Sequence, residues 1–132
     1  FNHYSFGAVG SWMYNYSLGI QRDEASPGFK HFILKPEIDL TGKMKYAKGY
    51  YDSMYGRIGS GWKVENEIAY YTFNIPGNTS ALVCLPASSV KDIKESGKDI
   101  HKKHEGIKFI SEDNGTVTFE LLSGNYFFEV KR

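Results

Sequence analysis

From residue 29 to residue 131, apolar side chains recur at every second position in runs of five to nine residues, and turn-forming residues separate the runs. A period of two is the signature of strands with one buried face, because successive side chains on a strand point to opposite sides. The pattern predicts strands over 29–34, 44–51, 56–64, 68–75, 80–85, 89–93, 107–111, 116–122 and 126–131. Inward rows can be named. Ile58, Trp62 and Val64 share one face, as do Ala69, Tyr71, Phe73 and Ile75. Val117, Phe119 and Leu121 form a third row, and Tyr126, Phe128 and Val130 a fourth. Asn114-Gly115 suits a tight hairpin with positive φ, Ser123-Gly124-Asn125 another and Pro76-Gly77-Asn78 a third. Many short strands without intervening helices imply a mainly β fold, an antiparallel β-sandwich of jelly-roll type.

Ahead of this region the period changes. Val9, Trp12, Met13, Tyr16 and Ile20 are spaced by three and four, which predicts one α-helix over residues 6–20, with Ser5 as its cap. Phe6, Tyr14 and Leu18 occupy the remaining face, so the helix is apolar nearly all round. Such a helix is normally enclosed by other elements, and the β-region alone offers little to enclose it. The chain also opens directly into the aromatic segment Phe1-Asn2-His3-Tyr4. Both features lead us to expect a fragment of a larger protein. It divides into a helix over 1–22, a turn-rich linker over 23–28 and a β-domain over 29–132.

Charge excludes some functions. Sixteen Lys and Arg against fifteen Asp and Glu leave a net charge of +1, and the basic residues are dispersed. No electrostatic footprint for nucleic acid or an anionic membrane follows. No apolar run approaches the roughly 18 residues that cross a bilayer. The single cysteine, Cys84, lies in an apolar run and reads as an inert thiol.

No motif carries a reaction. Asp23 and Glu24 lie in the linker, Glu65 and Glu67 bracket Asn66 in a turn, and Glu112-Asp113 precede a hairpin. Turn chemistry or solvated loops account for each pair better than acid–base catalysis. His101 and His104 supply only two ligands beside Lys102 and Lys103, too little for a metal site. His31 alternates with Phe29 and Ile33, which places it at a sheet surface or interface. The glycines of the 56–61 segment sit in a strand pattern and open no helix, so a bulge or close sheet packing is expected rather than a phosphate site. Sequons at Asn15, Asn78 and Asn114 need no more than chance and turn preference. No catalytic residue, metal or cofactor is expected in this chain.

Asn2-His3-Tyr4-Ser5-Phe6-Gly7 has no local explanation. This segment resembles one found in bacterial α-L-rhamnosidases, where it precedes the last helix of a catalytic α/α toroid. The likeness continues through Gly19-Ile20, Asp23-Glu24, Pro27-Gly28-Phe29 and Lys35-Pro36, and through Tyr51, Ser53, Tyr55-Gly56, Ile58, Ser60 and Trp62. It then runs through Ile75-Pro76, Asn78-Thr79, Leu85-Pro86, Glu95-Ser96-Gly97, Ser123-Gly124, Tyr126 and Phe128 to that family's C-terminal β-sandwich. The resemblance implies an accessory domain, joined in cis to a toroid that hydrolyses terminal α-L-rhamnose from glycosides with inversion. Both catalytic carboxylates would then lie outside this chain. It also implies that His3 contacts rhamnose hydroxyls in the whole protein, as an imidazole can donate and accept at once.

Two other readings stay open beside it. One is a carbohydrate-binding module, with Tyr50, Tyr51, Tyr55 or Trp62 stacking on a sugar, although Trp62 shares the inward face of Ile58 and Val64. The other is a β-sandwich with a protein partner of its own. Self-association through the N-terminal helix is expected where its natural neighbour is missing. The sequence assigns no compartment.

Overall fold

The computed structural model describes residues 17–100 and 105–132, and among them there is no α-helix. The described residues form an open mixed β-sheet of nine strands. They are β1 (Ile20–Arg22), β2 (His31–Leu34), β3 (Tyr46–Ser53), β4 (Gly56–Glu65) and β5 (Ile68–Pro86). There follow β6 (Ile93–Glu95), β7 (Lys98–Asp99), β8 (Ile107–Asp113) and β9 (Thr116–Lys131).

Two long strands organise everything else. β5 and β9 pair antiparallel along almost their whole length, from Ile68 opposite Lys131 to Pro86 opposite Thr116. The register breaks once. Ile75 faces Gly124 and Ser80 faces Leu122, so residues 76–79 of β5 lie opposite Ser123 alone. This bulge is a corner. Asn78 takes a φ of 63°, and the Thr79 hydroxyl donates to the Pro76 carbonyl at 2.6 Å. On β9 the corner is held by Tyr126, whose hydroxyl donates to the Leu122 carbonyl at 2.8 Å.

The bend can be measured from its consequence. Phe119 and Phe128 are nine positions apart and would be separated by roughly 30 Å on a straight strand. Their rings instead stack with centroids 5.9 Å apart and planes 10° from parallel. The sheet therefore folds back on itself, with one wing on either side of the corner. In one wing β3 pairs β4, β4 pairs the first half of β5, and β6 pairs the last part of β9. In the other, β1 pairs β2, β2 pairs the second half of β5, and β8 pairs the first half of β9. The core lies between them, with Phe32, Leu34, Ile58, Tyr71, Phe73, Val83, Phe119 and Phe128 fully buried. All four inward rows expected from the sequence point into it.

Three expectations need correction. The fold is not purely antiparallel, because β2 runs parallel to β5, His31 opposite Ser80 through Leu34 opposite Val83. Pro76-Gly77-Asn78 and Ser123-Gly124-Asn125 are not hairpins; they face one another as the corner of two continuous strands. The helix expected over 6–20 falls mainly outside the described residues, and its described end is not α-helical. Gly19 has a φ of 70°, and Ile20 begins a strand opposite Leu34. A side chain at Gly19 would place its Cβ 2.1 Å from the Lys35 carbonyl carbon, so only glycine allows this approach. Asn114-Gly115 does form the expected two-residue hairpin, with φ values of 50° and 76°.

One core residue is imperfectly satisfied. Tyr71 is fully buried, and its hydroxyl has no hydrogen-bond partner among the described residues. Burial holds its pKa well above the ordinary tyrosine value. An unpaired buried hydroxyl costs about 1–3 kcal/mol, whereas its removal from a site of the same shape costs little. Tyr71→Phe is therefore expected to raise stability by about 1 kcal/mol in chemical denaturation. A loss of stability would show that the hydroxyl is satisfied.

Candidate functional site

The most organised polar cluster among the described residues is centred on His31. β2 carries it on the outer face of its wing, since its neighbours Phe32 and Leu34 fill the core. Nδ1 lies 2.8 Å from Oδ2 of Asp23, which sits in the turn that follows β1. Nε2 lies 3.2 and 3.1 Å from the two carboxylate oxygens of Glu120 on β9. A protonated imidazole donates from both nitrogens and suits two carboxylates. The partial burial of His31 disfavours its charge, but hydrogen bonds and charge from Asp23 and Glu120 outweigh this and raise its pKa. The Ala25 N–H and then the His31 ring hold Asp23 below the usual carboxylate range. The cluster is an ionic latch from the segment after β1, across β5, to β9.

A second polar group lies inside. Glu95 is only 6% exposed, and its Oε2 accepts from the Ser96 hydroxyl at 2.7 Å and the Phe127 N–H at 3.2 Å. It ties the β6–β7 hairpin, which turns at Ser96 and Gly97 with positive φ, to β9. Burial first, and then the charge of Glu95, raise the pKa of Tyr126.

The residues singled out from the sequence fare unequally. His3, His101, His104 and Asn15 lie outside the described residues. Glu65 and Glu67 bracket the positive-φ Asn66 in the β4–β5 turn, as expected. Glu112 Oε2 accepts from the Val90 N–H at 2.8 Å, a structural use. Among the described residues no group of three or more His, Cys, Asp and Glu is arranged to hold a metal ion.

The aromatic candidates for sugar stacking are already engaged. Trp62 is 3% exposed and donates from Nε1 to the Ser17 carbonyl at 2.9 Å. Tyr50 lies under the Arg57 guanidinium at 3.7 Å, and Tyr51 packs on Phe29 with centroids 4.8 Å apart. Tyr55 has the Lys30 ammonium 5.3 Å from its ring. Sequence reasoning passed over Glu95 and Glu120. The period-two signal places Glu95 inward with Ile93, whereas Glu120 meets His31 only through the topology.

Comparison with known proteins adds context to this geometry. A family model described as the bacterial alpha-L-rhamnosidase C-terminal domain matches residues 19–99. An alpha-L-rhamnosidase of Streptomyces avermitilis is 28% identical over 98% of this chain, which spans 11% of that protein. An alpha-L-rhamnosidase of an Alteromonas species is 32% identical over 92% of the chain, which spans 12% of its length. The crystal structure of the Streptomyces avermitilis enzyme complexed with L-rhamnose superposes with a TM-score of 0.76 at 27% identity, over 98% of this chain and 11% of that one.

The latch predicts a pH dependence whose sign follows from the two shifts. A raised histidine pKa gives stability that is complete below the ordinary imidazole value and fades as pH rises through the raised one. A lowered carboxylate pKa gives stability present above the ordinary value and lost as pH falls. The latch is thus strongest at about pH 5–6. His31→Gln should lower Tm there by about 2–4 °C and converge with the parent chain near pH 8. Equal melting at every pH would mean that the cluster contributes nothing.

Proposed function

This chain belongs to the bacterial alpha-L-rhamnosidase C-terminal domain family, and from that premise we propose that it is the accessory β-domain of an inverting α-L-rhamnosidase. The observation that carries this reading is coverage: nearly all of the chain aligns, yet it spans only 11–12% of those relatives. The whole protein would cleave terminal α-L-rhamnose from rhamnosylated glycans. A general acid would protonate the leaving oxygen while a base roughly 6.5–9.5 Å away activates water across the ring. Both groups would come from an α/α-toroid domain in cis. His3 would add hydrogen bonds to the sugar hydroxyls at the boundary.

The two facing wings support reading the fold as a jelly-roll-like sandwich. Its role toward the toroid is structural. Trp62 and Ser60 of β4 donate to the carbonyls of Ser17 and Leu18, at 2.9 and 2.7 Å, which clamps the domain onto the segment entering it. Self-association of the isolated chain through residues ahead of Ser17 belongs to the same proposal.

The test is made on the whole protein with p-nitrophenyl α-L-rhamnoside. Deleting residues 29–132 should lower the melting temperature or solubility of what remains, and this chain alone should release no nitrophenol. An unchanged melting curve would count against the accessory role. His3→Ala in the whole protein should reduce kcat/KM about tenfold, the equivalent of one or two sugar hydrogen bonds. Unaltered kinetics would remove His3 from the site.

A further inference from the structure

The outer face of the first wing carries a trough whose construction follows from the strand register. By strand parity Gly59, Gly61 and Lys63 belong to the outer face of β4, with Gly61 buried beside the Lys48 side chain, while Ile58, Ser60 and Trp62 face the core. Across the sheet, Lys48, Gly61, Thr72 and Phe127 form one row, and Tyr46, Lys63 and Tyr70 the next. A third row sets Tyr50 beside Gly59 and Asn74. The two glycines lower the floor of β4 between side chains of β3 and β5, leaving a cavity of about 400 Å³. That is within the roughly 300–1,000 Å³ of small-molecule sites.

Glycine weakens a strand interior and often marks a bulge or a close approach. There is no bulge here, since both ladders of β4 run without a register shift. Neither glycine has a positive φ. An added Cβ would sit 3.2 Å from the Asn74 Cβ at position 59 and 3.3 Å from the Ala47 carbonyl at position 61, crowded but short of exclusion. Neighbouring strands therefore explain only part of the preference for glycine.

The walls are ordered before any ligand arrives. The Tyr70 ring is stacked on Phe127, with centroids 5.7 Å apart and planes 16° from parallel, and the Lys63 ammonium lies 5.4 Å from its centroid. Phe127 is 41% exposed and Tyr46 is 67% exposed. Thr72 and Asn74 add polar groups and Lys48 and Lys63 add cations; the lining itself holds no carboxylate, but the Lys63 ammonium also lies 3.9 Å from the carboxylate of Glu65.

Chemistry selects the occupant. An extended peptide binds a sheet by pairing with an edge; β4 is paired on both sides, and the edge that β3 offers lies beside the trough, not in it. A pyranose chain fits better, because its C–H faces lie against rings while its hydroxyls meet Thr, Asn and Lys. Lys48 and Lys63, set against the one carboxylate of Glu65, give the trough its positive sign.

We propose that this trough binds an acidic oligosaccharide, a short run of pyranose rings bearing carboxylates. The inference rests on the reading of the chain as part of a glycan-handling protein. It assigns to the accessory domain a contact with polysaccharide separate from the cleavage site.

The full chain is titrated with tetragalacturonate, with its methyl ester and with tetraglutamate, while amide NMR shifts are followed. The acid should produce saturable shifts centred on Gly59, Gly61 and Thr72 at millimolar concentration or below. The neutral ester should bind about fivefold more weakly. Lys48→Gln with Lys63→Gln, both exposed changes that spare the fold, should abolish the preference for the acid. Tyr70→Ala should weaken acid and ester alike while the dispersed spectrum is retained. The proposal is overturned by absent or scattered shifts, by equal binding of acid and ester, or by tetraglutamate binding as tightly. A trough that binds nothing, together with a deletion that still destabilises the whole protein, would refute this inference and leave the accessory role standing.

Discussion

The fold depends on one corner, where β5 and β9 turn together and bring Phe119 face to face with Phe128. A flat sheet of these strands would bury neither row of large side chains. Folded back, each wing becomes the other's hydrophobic cover, and Phe73, Phe119, Tyr126 and Phe128 form a connected series of ring contacts. Each such ring pair contributes about 0.5–1.5 kcal/mol beyond its area burial. The corner is held by polar groups: Thr79 and Tyr126 are both buried, and their hydroxyls donate to the carbonyls of Pro76 and Leu122.

Everything outside that pair of strands is attached to it. β4 and β2 use the two halves of one edge of β5, and β6 and β8 use the two halves of one edge of β9. The polar clusters secure these attachments. His31 joins the turn after β1 to β9, and Glu95 joins a short hairpin to the same strand. In a catalytic site, perturbed groups converge on a space where substrate can sit. Around His31 and Glu95 the polar groups are satisfied by one another and by backbone. Trp62 and Ser60 hold the segment Ser17-Leu18, where the described residues begin.

Much of this was legible in the sequence. Alternation at Ala69, Tyr71, Phe73 and Ile75, and at Val117, Phe119 and Leu121, identified the inward rows because sheet geometry has a period of two. The burial of Trp62 followed from its parity with Ile58. The corner was misread because glycine, asparagine and proline serve hairpins and bulges equally, and only the partner strand decides between them. Ile20 was misassigned because its spacing from Tyr16 fits a helix, while the positive φ of Gly19 depends on the distant Lys35 backbone. The parallel pairing of β2, and the meeting of His31 with Glu120 across 89 positions, are properties of topology that no local pattern encodes. The family resemblance supplied what local patterns could not, the family to which the domain belongs.

The central claim is that this domain is mechanically one with the catalytic part of a larger glycosidase. Differential scanning calorimetry of the whole protein addresses it most directly, in its parent form and with Trp62→Phe, which removes the indole N–H that reaches Ser17. The account predicts a single cooperative transition in the parent, separating into two when that hydrogen bond is lost. Two independent transitions in the parent protein, unmoved by the substitution, would contradict it.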